Sequence, residues 1–300
     1  MKGAMKEELN IQWFPGHMTK ARRMMAEDVK MVDAVCEIAD ARIPISSRNP
    51  DLDEICGGKP RLLVLNRTDQ ADPGQTEAWI RYYRQQGVSV LSTDCRTGKG
   101  TKNFSGAVRE LLSDRIRSLE EKGQKGRSLR VMVVGIPNVG KSSFINRVAN
   151  RKAAQTSDRP GVTRGKQWIR VSGGLELLDT PGVLWPKFEN RTVGEHLAYT
   201  GAIRDQILDS VSLAGNLMLL LKERYPGRLA ERFRIEPGDG DTGLTLLEMA
   251  GRKRGCLISG GEVDLERIAA VVLDEFRGGK LGLITLETPG DLAEAGSDEG

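Results

Sequence analysis

This chain of 300 residues has only two histidines, His17 and His196, and four cysteines, Cys36, Cys56, Cys95 and Cys256. No C-x-x-C pair occurs and the histidines do not cluster, so a zinc site is not expected. Scattered thiols fit a reducing cytosol better than a disulfide framework. No signal peptide is expected at the head of the sequence. The longest apolar run, Leu217 to Leu221, is far short of the roughly 20 residues needed to cross a bilayer. These absences predict a cytoplasmic protein with no membrane partner. Lys and Arg are missing from Glu287 onward, where Glu287, Asp291, Glu294, Asp298 and Glu299 fall. With a formal net charge of +4 for the whole chain, the remainder is more basic still and suits polyanionic partners.

Against these absences stand two motifs in an unusual order. Gly135-Ile136-Pro137-Asn138-Val139-Gly140-Lys141-Ser142 has the form G-x-x-x-x-G-K-[ST] of a phosphate-binding loop. It follows the β-branched run Leu129 to Val134 and precedes a helical stretch from Ser142, the strand–loop–helix context that this motif requires. The backbone N–H groups of Asn138, Val139, Gly140, Lys141, Ser142 and Ser143 would cradle the phosphates. Lys141 would reach the β- and γ-phosphates, and the Ser142 hydroxyl would ligate Mg²⁺. Downstream, the apolar run Leu175 to Leu178 ends in Asp179-Thr180-Pro181-Gly182, a D-x-x-G motif. Asp179 would hold Mg²⁺ through water, and the Gly182 N–H would meet the γ-phosphate. Thr163, between the two motifs, is the candidate switch threonine on Mg²⁺.

Asn66-Arg67-Thr68-Asp69 follows the buried-strand run Leu62 to Leu65 and resembles the guanine-reading motif Asn-Lys-x-Asp. Asp69 would accept from guanine N1–H and N2–H₂, Asn66 would brace neighbouring loops, and Arg67 would cover the base face in place of lysine. Asp94-Cys95-Arg96-Thr97-Gly98-Lys99-Gly100 fits the third base-contacting segment loosely; the Cys95 N–H would bind guanine O6. Ordinary GTPases run the phosphate loop first and the guanine motif last. Here the order is reversed, so the chain resembles a circularly permuted GTPase. An ATP-dependent metabolic kinase shares the phosphate loop but leaves Asn66 and Asp69 unexplained.

Ile11-Gln12-Trp13-Phe14-Pro15-Gly16-His17-Met18 and Asp40-Ala41-Arg42-Ile43-Pro44 narrow the resemblance to the ribosome biogenesis GTPase A family, of the YlqF/RbgA type, over about Ile11 to Glu287. The resemblance implies a bacterial GTPase acting in late assembly of the large (50S) ribosomal subunit, with GTP/GDP, the large subunit and rRNA as partners, and Mg²⁺ with GTP as cofactor. Asn138 stands in the G-x-P-N-x-G-K-S form of cation-activated relatives, where its side chain would ligate K⁺. Ras-type enzymes place a water-orienting Gln after D-x-x-G; here that residue is Val183. The resemblance points instead to His17 as the catalytic group beside Lys141 and Thr163, while packing against Trp13 and Phe14 explains His17 equally well. A nucleotide-sensing RNA-binding module or chaperone, with incidental hydrolysis, remains the competing function.

The expected fold is α/β: a circularly permuted P-loop GTPase domain with a doubly wound, mostly parallel sheet, followed by a small all-α domain. The expected divisions are a flexible N-terminus over 1–10, the GTPase domain over 11–190, a helical RNA- or ribosome-binding domain over 191–287, and an acidic disordered tail over 288–300. The protein is expected to be a monomer. In the helical part, Leu213, Leu217, Leu220 and Leu221 share one helix face, as do Leu265, Ile268, Ala269, Val272 and Phe276 behind an Asp264 cap. His196 has no motif around it and reads as structural. Arg224, Arg228, Arg232, Arg234, Arg252, Lys253 and Arg254 form a basic concentration, either a solvated face or an RNA contact.

Overall fold

In the computed structural model, the described residues are 17–150, 168–185, 190–203 and 209–295. They fall into two compact units, one within Phe14–Lys187 completed by the chain from Glu287, the other within Phe188–Leu286.

The first unit opens with helix α1 (His17–Val29), strand β1 (Ala34–Asp40), α2 (Asp51–Cys56), β2 (Arg61–Asn66), α3 (Pro73–Gln85) and β3 (Ser89–Ser92). It continues with α4 (Phe104–Leu111), α5 (Ser113–Glu121), β4 (Leu129–Gly135), α6 (Lys141–Val148), β5 (Trp168–Val171) and β6 (Leu175–Asp179). The six strands form one sheet in the order β3-β2-β1-β4-β6-β5. Every neighbouring pair is parallel except β5 with β6. The central strands are buried over nearly all their length, Arg61 and Arg130 near their starts excepted, as a sheet covered on both faces requires. The chain fills one side of β1 with β2 and β3, then crosses to β4 on the other side. That reversal opens a crevice at the C-terminal ends of β1 and β4, where open α/β sheets take ligands. It is the expected circularly permuted P-loop GTPase fold.

The apolar runs account for β1, β2, β4 and β6. The antiparallel edge strand β5 had no comparable signal, since only Ile169 is buried in it. Asp72 starts α3 by accepting from Gln75 N at 3.0 Å ahead of Pro73 at the first helical position. The helix then lays Trp79 and Tyr83 on Ala39, Leu63 and Leu65 of the sheet and on Ala41 just beyond β1. Burying such side chains contributes roughly 1.5–3 kcal/mol each.

The second unit is helical: α7 (Arg191–Tyr199), α8 (Ser210–Arg224), α9 (Pro226–Phe233), α10 (Gly243–Arg254) and α11 (Leu265–Arg277). Asp209 and Asp264 cap α8 and α11 through their side chains. The two apolar stripes lie inside, with Leu213, Leu217, Leu221, Ile268, Ala269, Val272 and Phe276 buried. At the crossing of α8 and α10 the backbones nearly touch: a Cβ on Gly243 would lie 2.7 Å from the Gly215 carbonyl. His196 is buried within this unit, its ring 6.0 Å from that of Tyr199.

Two expectations need correction. The segment read as a disordered tail contains α12 (Pro289–Ala295), started by Thr288 and Asp291 hydrogen-bonding each other. Leu292 packs on the cluster around Trp79, so burial supplies the order that a count of charges misses. The basic concentration is also partly structural. Arg232 and Arg254 both grip the Glu275 carboxylate, at 2.6 and 2.9 Å, and Arg224 donates to the Leu286 carbonyl at 2.7 Å.

Candidate nucleotide site

At the end of β4 the chain turns tightly into a helix. Asn138 and Gly140 adopt left-handed φ values of 60° and 91°. A Cβ on Gly140 would lie 2.5 Å from Asn66 Nδ2, so only glycine fits there. Ile136 and Val139 bury their side chains and pin the loop. Lys141 and Ser142 open α6, whose N-terminal N–H groups and dipole favour an anion; Ser143 follows on the exposed side. Lys141 Nζ lies 2.6 Å from Asp179 Oδ1 at the end of β6. The phosphate-loop lysine and the D-x-x-G carboxylate therefore share one small volume. Gly182 packs against the same loop: a Cβ there would lie 3.0 Å from Pro137 Cα.

Asn66 is 1% exposed and joins three segments. Its Nδ2 donates to the Val139 carbonyl at 3.0 Å. Its Oδ1 accepts from Thr93 Oγ1 and Cys95 Sγ, both at 3.1 Å. Burial pushes the Cys95 thiol up to about 12, so it remains a protonated donor. The loosely matching segment 94–100 is a well-braced loop. Asp94 Oδ1 accepts from Arg96 N at 2.8 Å and Thr97 N at 3.2 Å. Burial opposes ionisation of Asp94, but the hydroxyl of Thr97, then the Thr97 and Arg96 N–H groups, outweigh it and hold the carboxyl below its ordinary value. Sequence reading missed Arg147. From α6 it donates to the Cys95 carbonyl at 3.0 Å and to the Arg96 carbonyl, linking the phosphate-loop helix to the base loop. No motif announces it.

Arg67 takes a left-handed φ of 62°. Its Nη2 donates to the Asn138 carbonyl at 2.6 Å, and its Nε lies 3.7 Å from Asp40 Oδ2. The guanidinium thus ties the Asn66 to Asp69 segment to the phosphate loop. Asp69 sits beside it, accepting from Arg96 Nε at 3.0 Å. Asp40 and Arg42 form a buried two-pronged pair at 2.9 and 2.8 Å. Burial works against the Asp40 charge, yet Arg42 and then Arg67 overcome it and keep its carboxyl below the usual value.

The structure therefore gathers Asn66, Arg67, Asp69, Cys95, Asn138, Lys141, Asp179 and Gly182 around one crevice at the strand ends. Val183 is buried and apolar, so it cannot orient water. His17 is the first residue of α1, and its side chain is outside the described residues, as is Thr163 altogether. Among the described residues no helix is long and apolar enough to cross a membrane.

The profile of the family described as "50S ribosome-binding GTPase" matches residues 130–223. "Ribosome biogenesis GTPase A" of Priestia megaterium is 49% identical over 287 residues, spanning 95% of this chain and 99% of that protein. The protein of the same name from Bacillus cereus is 46% identical, spanning 96% of this chain and 97% of its own. The solved structure of GNP-bound YlqF from T. maritima superposes with a TM-score of 0.62 at 27% identity, covering 90% of this chain and 98% of that one. Motif order, sheet order and near-full-length identity agree: the chain is a GTP-hydrolysing enzyme, and it belongs to the ribosome biogenesis GTPase A family.

Proposed function

We propose that this GTPase binds the precursor of the large ribosomal subunit in its GTP state, acts late in that subunit's maturation in the cytoplasm, and leaves after hydrolysis. The observation that carries this reading is the packing of Gly182 against the phosphate loop a short segment ahead of the helical unit. A γ-phosphate that fixes Gly182 and Thr163 would bias what the helical unit presents. The names of the relatives and the family description support the ribosomal partner.

The donor set suits Mg²⁺·GTP. Ser142 offers a hydroxyl at the loop end, Asp179 a carboxylate 2.6 Å from Lys141, and Thr163 a further hydroxyl. Mg²⁺ supplies charge neutralisation of the phosphates when bound. Lys141 leaves Asp179 to meet the β- and γ-phosphates, and the loop N–H groups hold the transferred charge. Because Val183 cannot orient water, His17 is the group proposed to do so. Asn138 is the proposed K⁺ ligand; turnover should be faster in KCl than in NaCl at equal ionic strength.

The test is co-sedimentation with large subunits and subunit-stimulated turnover. Binding should be tighter with a non-hydrolysable GTP analogue than with GDP, by a coupling of ~1–3 kcal/mol. Equal binding in both nucleotide states, or turnover indifferent to subunits, would favour an RNA-binding module with incidental hydrolysis. His17→Ala should lower stimulated turnover by ~10²–10⁴-fold while GTP affinity holds. Full stimulated activity in the folded variant would make His17 structural.

A further inference from the structure

The chain passes from the helical unit to the GTPase unit between Leu286 and Glu287. On the helical side, Arg224 donates to the Leu286 carbonyl at 2.7 Å, and the Tyr225 hydroxyl donates to the Thr285 carbonyl at 3.0 Å. On the other side Glu287, 3% exposed, is held as firmly. Its carboxylate accepts from Ile45 N at 2.5 Å, from Ser46 N at 3.1 Å and from the Ser46 hydroxyl. Its carbonyl accepts from Trp79 Nε1 at 3.0 Å, and Trp79 is fully buried.

The loop that Glu287 grips follows β1 and reaches the guanine motif by two routes. Ala41 N donates to the Asn66 carbonyl at 2.9 Å. Asp40, whose N–H donates to Ser47 Oγ at 2.9 Å, faces Arg67 Nε at 3.7 Å. Arg67 in turn holds the Asn138 carbonyl of the phosphate loop. Tyr83 secures the same loop from α3 by donating to the Pro44 carbonyl at 2.9 Å. A buried carboxylate that takes several donors fixes backbone position far better than apolar packing, because each bond is directional and charge-assisted.

We propose that Glu287 is a positioning residue for guanine binding: by holding the loop after β1 it sets the placement of Asn66 and Arg67. This rests on the guanine reading of Asn66 to Asp69. Glu287 touches no nucleotide; it acts through Ile45, Ser46 and the β1 end. If it merely secured α12, its loss would lower the melting temperature and leave base recognition intact.

The test uses the full chain and fluorescent GDP and IDP, the latter lacking the amino group that Asp69 reads. Glu287→Gln removes the negative charge and turns the oxygen that accepts from the Ser46 hydroxyl into an N–H₂, leaving one oxygen for the Ile45 and Ser46 N–H groups. In this variant GDP should dissociate about tenfold faster at a temperature well below melting, the scale of one lost charge-assisted hydrogen bond. The preference for GDP over IDP should shrink, whereas a simple loss of folded protein would affect both ligands alike. Ser46→Ala removes only the hydroxyl donor and should show a smaller change of the same sign; it decides the matter if Glu287→Gln does not fold. Wild-type dissociation rates and GDP/IDP preference in folded variants would overturn the proposal. Asp69→Asn is run alongside. If it fails to shift preference toward xanthine nucleotides, the guanine reading itself falls. If it does shift while the Glu287 and Ser46 variants match wild type, only the positioning role falls.

Discussion

Asp69 is the proposed reader of the guanine edge, and Arg96 already donates to its carboxylate at 3.0 Å. The pair is exposed on the arginine side, so it is weakly held and readily shared or released. Replacing Asp69 by Asn turns one acceptor into a donor. Xanthine carries an oxygen where guanine carries its amino group, so Asp69→Asn should move preference from GTP to XTP by more than about tenfold, since a mismatched buried polar group costs ~1–3 kcal/mol. Nucleotide titration reads the change directly; unchanged GTP affinity would remove Asp69 from the base site. At this scale much of the site was legible. Asn66, Lys141, Asp179 and Gly182 come together at the strand ends, because such motifs encode local backbone geometry as well as chemistry. Arg67 showed the limit. A sequence says which residue replaces lysine, but not that its guanidinium ends on the Asn138 carbonyl. Arg147 and Glu287 carried no signal, since each acts on backbone atoms distant in sequence.

Among the elements, α9, α10 and α11 meet at Glu275, where Arg232 and Arg254 converge on one carboxylate. Burial disfavours the Glu275 charge, but the hydrogen bonds and charges of both arginines prevail and hold its carboxyl below the ordinary value. A carboxylate depressed in the folded state contributes stability above its unfolded pKa and loses it as pH falls through the folded one. Glu275→Gln should therefore destabilise the protein by ~1.5–3 kcal/mol at neutral pH, the scale of hydrogen bonds to charged groups. The melting-temperature gap to wild type should close on acidification below the carboxylate range. A gap independent of pH would mean that the amide costs packing rather than charge. The helices themselves were readable from their stripes and from Asp264, because the period of apolar residues reports a buried face. Which arginines turn inward was not, since period says nothing of tertiary partners.

For the whole molecule, the corrected basic set changes what should face rRNA. With Arg232 and Arg254 committed to Glu275, the exposed Arg234, Arg252 and Lys253 are the better candidates. Neutralising these three together should lower the slope of log affinity against log salt for large subunits, because fewer counterions are released on binding. GTP affinity should not change. Co-sedimentation across a KCl series measures the slope, and an unaltered slope would place any RNA contact elsewhere.

The sequence by itself determined the chemistry and the permuted order. Gly135 to Ser142, Asn66 to Asp69 and Asp179 to Gly182 are contiguous, so their spacing survives in a linear text. The apolar runs likewise determined the central strands, because full burial demands unbroken hydrophobic stretches. Only the tertiary structure decided that β5 closes the sheet edge, that Arg147 braces the base loop, and that Glu287 returns to grip Ile45 and Ser46. Those contacts join residues far apart along the chain. A buried carboxylate or guanidinium takes whichever donors or carbonyls the fold brings to it, and no local pattern records that choice.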